Sequence, residues 1–184
     1  MKRIVLTFGL ISGVILAAMT AITVPMVVSG KLGWDASEVI GYTSMVLAFL
    51  MVFFGIRSYR ENIGGGVVTF RKAVQVGILI TLVTSAVYVV SWQIVYYNFI
   101  PNFGDVYAAH VVEQLRAEGA TQAAIGAKQQ EMARFNELYA NPFFNIAVTF
   151  MEIFPAGLVV TLISAAILRR KSDPGAASSA PAVA

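Results

Sequence analysis

The sequence predicts an all-α membrane protein: a bundle of four transmembrane helices with an extracytoplasmic helical hairpin between the third and fourth spans. Three observations carry this. Four long apolar runs, 4–28, 39–56, 74–100 and 143–168, each approach or exceed the roughly 20 residues that cross a hydrocarbon core about 30 Å thick. Of the 184 residues 58% are hydrophobic and only 12% charged, a balance that a soluble surface does not tolerate. Basic residues also recur after every second run, as loops on one side of a membrane would.

The first run follows Met1-Lys2-Arg3 and continues to Val28, well beyond the roughly 7–15 residues of a signal-peptide core. No small-residue pair at the A-x-A spacing stands around 17–21, so the run is expected to stay as a helix. Its Gly9, Gly13, Ala17 and Ala21 repeat at intervals of four, which keeps small residues near one face and lets another helix approach closely. The third run has the same ladder in Ala73, Gly77, Thr81 and Ser85, and the fourth in Gly157, Thr161 and Ala165. Between the first two runs, 31–38 reads as a short hairpin; between the second and third, Gly64-Gly65-Gly66 reads as a turn. That turn lacks the spacing and preceding strand of a phosphate loop.

Segment 101–142 is the sizeable extramembrane element. It reads as two helices, about 105–116 and 121–139, with Thr121 as N-cap of the second. Ile125, Met132, Phe135 and Tyr139 draw an apolar stripe along that second helix, opposite Lys128, Gln129, Gln130, Glu131 and Arg134. Such a stripe needs cover, from the tops of the spans, the leaflet surface or a partner protein. Residues 1–171 form one transmembrane domain. The Pro-rich, small-residue tail 172–184 has too little apolar surface to offset the entropy of ordering and is expected to be disordered.

Charge sets the expected orientation. Lys2, Arg3, Arg57, Arg60, Arg71, Lys72, Arg169, Arg170 and Lys171 fall on one side, against Lys31, Arg116, Lys128 and Arg134 on the other. The richer side is the cytoplasmic one, which places both termini in the cytoplasm. The formal net charge of +3 therefore reflects topology, and no basic surface interleaved with aromatics points to nucleic acid. Arg57, Arg60, Arg71 and Lys72 together could also contact an anionic lipid headgroup.

Among polar residues at membrane depth, Glu152 stands out as a carboxylate about nine residues into the fourth run. A carboxylate at the bilayer centre costs about 2.5–3.5 kcal/mol, so it should face the bundle and find a partner. Gln93 lies at a similar depth counted from the end of its own run, with Tyr96, Tyr97 and Tyr42 as further donors. Pro155 frees the carbonyl of Met151 and predicts a kink. Glu152, Gln93, Tyr96, Tyr42 and Pro155 are thus the candidate intramembrane pocket; Gly9, Gly13, Ala17, Gly77, Thr81 and Gly157 are the candidate packing residues. Trp34, Trp92, Tyr96 and Tyr97 read as an interfacial aromatic belt. The sole histidine, His110, precedes Glu113 by one helical turn, too few ligands for a metal site, and reads as a solvated surface residue. With no cysteine the chain has no thiolate ligand, thiol nucleophile or disulfide.

The stretches FFGIRSYRENIGGGVVTFRKAVQVGILITLVTSAVYVVSWQIVY, from Phe53, and NPFFNIAVTFMEIFPAGLVVTLISAAIL, from Asn141, resemble the bacterial domain-of-unknown-function 4199 family, and the likeness covers most of the chain. That resemblance implies a bacterial inner-membrane protein of about four helices, with no functional residues to transfer. The expectation is a non-enzyme without cofactor or metal. It would be an accessory or scaffold protein whose partners are the lipid bilayer and another membrane protein or a second copy. The alternative is a small carrier or proton-coupled transporter centred on Glu152.

Overall fold

The computed structural model describes residues 1–170, so the tail expected to be disordered, together with Lys171, lies outside the described residues. The described chain forms six helices: α1 (Lys2–Val28), α2 (Trp34–Asn62), α3 (Phe70–Phe99), α4 (Phe103–Ala117), α5 (Gln122–Tyr139) and α6 (Pro142–Leu168). Helices α1, α2, α3 and α6 are long and apolar enough to cross a membrane. This is a multi-pass membrane protein.

Two of these helices outrun the apolar runs that announce them. α2 starts at Trp34 rather than Val39 and ends at Asn62 rather than Ile56, so the expected hairpin 31–38 shrinks to the turn 29–33. α3 starts at Phe70, where the Thr69 side chain caps it by accepting a hydrogen bond from the Lys72 amide at 3.3 Å. An apolar run marks where lipid begins; the helix stops only where a cap or a turn stops it. Gly65 and Gly66 supply the left-handed conformations (φ 61° and 87°) that turn the chain midway through the α2–α3 connection.

Small residues fix how the spans meet. A Cβ on Gly9 or Gly13 would stand 2.6 Å from Cβ of Val83 or Val87, so α1 lies directly on α3 and runs parallel to it. A Cβ on Gly77 would stand 2.5 Å from Thr161, and one on Gly157 would strike Thr81 and Phe49, so α6 lies on α3 in the opposite direction. The ladder on α1 fades outward: Ala17 is half-buried and Ala21 exposed. α2 packs antiparallel to α1, with Ser12 Oγ donating to the Ala48 carbonyl at 2.8 Å, and closes the bundle more lightly against α6. Buried hydroxyls add interhelical bonds, with Thr81 and Thr161 paired at 3.2 Å and Thr84 reaching the Gly9 carbonyl at 3.3 Å. Many large apolar side chains, among them Val14, Ile22, Val46, Val90 and Ile167, remain exposed on the outer surface, as helices facing lipid require.

This up-and-down arrangement gathers the basic residues of α1, α2, α3 and the end of α6 at one end of the bundle. There Val68 and Arg170 exchange backbone hydrogen bonds of 3.2 and 2.9 Å, an isolated antiparallel bridge between the α2–α3 connection and the chain leaving α6. The α4–α5 hairpin sits at the other end. Thr121 caps α5, accepting from the Ala124 amide at 3.3 Å, and Ile125 and Val112 bury the seam between the two helices. The hairpin is seated on the spans through aromatics: the Trp34 ring stacks on His110 at 4.6 Å, Phe103 meets Trp92 edge-on at 5.4 Å, and Tyr139 meets Tyr96 at 5.5 Å. The aromatic belt is corrected accordingly. Trp92 and Tyr96 are buried under the hairpin, while Tyr97 alone of that set is exposed. His110, expected in solvent, is half-buried against Trp34.

Candidate functional site

A cavity of about 460 Å³ opens in the half of the bundle nearer the hairpin. α1 contributes Leu16, Met19, Thr20 and Thr23; α2 contributes Glu38, Tyr42 and Ser44; α3 contributes Tyr88; and α6 contributes Glu152, Ile153 and Ala156. The contact of Phe49 with Gly157 lies one to two turns further along α2 and α6, where the helices close again. Glu152 is exposed at the cavity mouth, as are Glu38 and Tyr42, and among the described residues it makes no hydrogen bond or ion pair.

The sequence-derived pocket residues divide. Glu152 and Tyr42 both line the cavity. Gln93 does not; its amide donates to Asn145 Oδ1 at 2.7 Å. Tyr96 packs against Tyr97 and Tyr139. Pro155 is on the exposed side of α6, which continues through it as one helix. Register explains the division. The antiparallel packing that sets Gly77 against Thr161 and Thr81 against Gly157 brings Gln93 opposite Asn145, and Glu152 opposite the turn Ser85–Tyr88. Depth counted from the end of each apolar run had put Gln93 and Glu152 level, but the two ends are staggered: the same register sets Pro142, where α6 starts, opposite Tyr96, about a turn short of the end of α3.

Tyr88, Thr20, Thr23, Ser44 and Asn145 were not singled out by sequence. Once the structure sets Gly77 against Thr161, the register of the ladders on α3 and α6 leads to Asn145 for Gln93 and to the turn that holds Tyr88 for Glu152. For Thr20, Thr23 and Ser44 the sequence holds no comparable signal, since hydroxyls in such spans commonly bond their own helix. Thr23 donates to the Met19 carbonyl at 2.8 Å and Ser44 to the Ile40 carbonyl at 2.6 Å.

Beside the cavity lies a polar knot. Asn145, fully buried, accepts from Gln93; Thr149 donates to the Asn145 carbonyl at 2.8 Å; Tyr139 OH and Thr149 Oγ1 are 3.5 Å apart; and Trp92 Nε1 donates to Tyr139 OH at 2.8 Å. Every member has a partner inside the protein, which makes the knot a fastening of α3, α5 and α6. Burial lifts the Tyr139 phenol above its ordinary range, against the opposing effect of its bonds to Thr149 and Trp92.

The basic residues do not converge. Arg57 Nε and Arg60 Nη2 share Glu61 Oε1 at 2.9 and 3.2 Å, whereas Arg71 and Lys72 line a separate shallow groove with Thr69 and Gln75. Lys72 donates to Gln75 at 3.0 Å and lies over the Tyr59 ring. Among the described residues no group of three or more His, Asp or Glu side chains is placed to hold a metal ion.

No curated protein and no solved structure matches the chain. A family model described as a protein of unknown function (DUF4199) matches residues 7–170, from the first turns of α1 to the end of α6, and the chain belongs to that family.

Proposed function

We propose that the protein is a non-catalytic membrane protein that binds a small molecule in the cavity between α1, α2 and α6, with Glu152 as its polar anchor. The observation that carries this reading is the cavity itself: about 460 Å³, within the range of small-molecule sites, with hydroxyls, phenols and two carboxylates in an otherwise apolar wall. An intramembrane carboxylate without an internal partner is costly where it serves only packing, which favours an external one. A carrier or a receptor would share this site. In the proposed orientation the basic end of the bundle is cytoplasmic, so the cavity and the hairpin belong to the extracytoplasmic half of a bacterial inner-membrane protein.

An accessory or scaffold role is the second reading, and what favours it is the exposure of Phe135 and Leu138 on α5. The rest of the apolar stripe offers it less, because Ile125 is buried and Met132 half-buried against α4.

Native mass spectra of the protein extracted gently from its own membrane separate the two readings. The expected result is a small molecule retained by the wild type and absent from Ala156→Trp, a variant that fills the cavity. A stoichiometric protein partner with no retained small molecule would overturn the cavity reading in favour of the accessory one.

A further inference from the structure

The chemistry of the cavity wall narrows the ligand class. The lining contains two carboxylates, Glu38 and Glu152, and no lysine, arginine or histidine. An anion entering it would meet like charge, and a cation would meet opposite charge.

Hydrogen-bonding polarity points the same way. Thr23 and Ser44 spend their protons on the Met19 and Ile40 carbonyls, at 2.8 and 2.6 Å, so toward the cavity they can offer only oxygen lone pairs. An ionised Glu152 accepts without donating. Thr20, Tyr42 and Tyr88 keep hydroxyl protons, which can also turn to accept, so the wall holds more acceptor than donor capacity and suits a ligand that donates. Two phenol rings, Tyr42 and Tyr88, complete it, and aromatic faces favour cations.

Size decides between an inorganic and an organic cation. At the roughly 30 Å³ that a water occupies in the liquid, 460 Å³ is many times the volume of a bare metal ion, so a metal alone would leave most of the space to water. A molecule of about the size of an arylalkylamine fits better.

We propose that the cavity binds a small organic ammonium ion bearing N–H donors, its charged nitrogen held by Glu152 and its apolar part lying against Leu16, Ile153 and Ala156. This assignment rests on the cavity reading above and goes beyond it in naming the ligand class. Glu38, on the first turns of α2, adds a second negative charge that draws a cation in.

The test is a calorimetric titration of the full chain in phosphatidylcholine nanodiscs with phenethylammonium and butylammonium chloride, set against tetraethylammonium, sodium chloride, butyrate and butanol. The primary ammonium ions are expected to bind saturably and more tightly than every other probe. Glu152→Gln is expected to weaken them by about 30-fold or more, as loss of a charge partner that the bound ligand covers does, while its unfolding temperature without ligand stays close to the wild type. The wild-type selectivity series decides by itself should that variant fold poorly. Equal or tighter binding of tetraethylammonium, butyrate, butanol or sodium overturns the ammonium assignment and leaves the cavity reading standing. Binding of no probe overturns it too; if native spectra then also retain no small molecule, the cavity reading falls with it.

Discussion

Trp92 Nε1 donates to the Tyr139 hydroxyl at 2.8 Å, joining the third span to the last turn of α5. The same hydroxyl stands 3.5 Å from Thr149 on α6, so one phenol oxygen connects three helices. Tyr139→Phe removes that oxygen and leaves a buried indole N–H without a partner. The expected cost is about 1–3 kcal/mol, read as a lowered thermal unfolding temperature in detergent.

Alkali should act through the same residue. Burial raises the folded-state pKa of Tyr139 above the ordinary phenol value of about 10, so the neutral phenol is favoured in the fold. Its contribution is therefore fully present below about pH 10 and is lost as pH rises from there through the raised folded value. Unfolding curves collected upward from pH 9 should show a steeper loss for the wild type than for Tyr139→Phe.

Asn145 gives a second handle on the knot. Asn145→Leu keeps the volume nearly constant but strands the Gln93 amide, with an expected loss of about 1–2 kcal/mol in a membrane context. Adding Gln93→Leu removes the stranded group as well. Unfolding in mixed micelles with increasing SDS should show the double variant as stable as Asn145→Leu or more so, and a double variant markedly less stable would mean that each amide acts elsewhere.

Two glycines should respond in opposite directions. Gly77→Val drives carbon into Thr161 and Ile56, which a Cβ would already meet at 2.5 and 3.1 Å, and is expected to lower stability by about 1–3 kcal/mol through overpacking. Gly126, inside α5, has nothing within 4 Å of the position of a Cβ. Gly126→Ala is expected to stabilise by about 0.4–1 kcal/mol by restricting the unfolded chain. The same SDS titration reads both.

The proposed orientation is open to chemical labelling, since a chain without cysteine makes any introduced thiol unique. Glu118→Cys, between α4 and α5, should react with a membrane-impermeant maleimide on intact cells freed of their outer membrane. Ser58→Cys, near the basic end of α2, should react only after lysis. The reverse pattern would invert the topology.

The four spans and the hairpin were legible because each is written as composition over many residues, where the preference for lipid or water accumulates. Helix ends were not, because α2 begins with Trp34, Asp35 and Ser37, outside the apolar run, where acidic and hydroxyl side chains suit a first turn without marking lipid. The candidate site was half legible. Glu152 announces itself as a charge in an apolar run, and Tyr42 as a phenol near its outer end. Which side chain faces which across two helices depends on their register, and this is set by contacts such as Gly77 against Thr161 that one sequence does not pair. Gln93 was therefore assigned to the wrong neighbour, and Trp92 and Tyr96 to a lipid interface that the hairpin in fact covers.

Both tryptophans of the chain lie where the hairpin meets the spans: Trp34 beneath His110 and Tyr107, and Trp92 between Phe103 and Tyr139. The intrinsic fluorescence of the protein is consequently a gauge of hairpin seating, with no background from indoles elsewhere. Trp34 is also one helical turn from Glu38 at the cavity wall. A change in emission on adding a solute would thus report, without any attached dye, whether occupation of the bundle is felt by the cap above it.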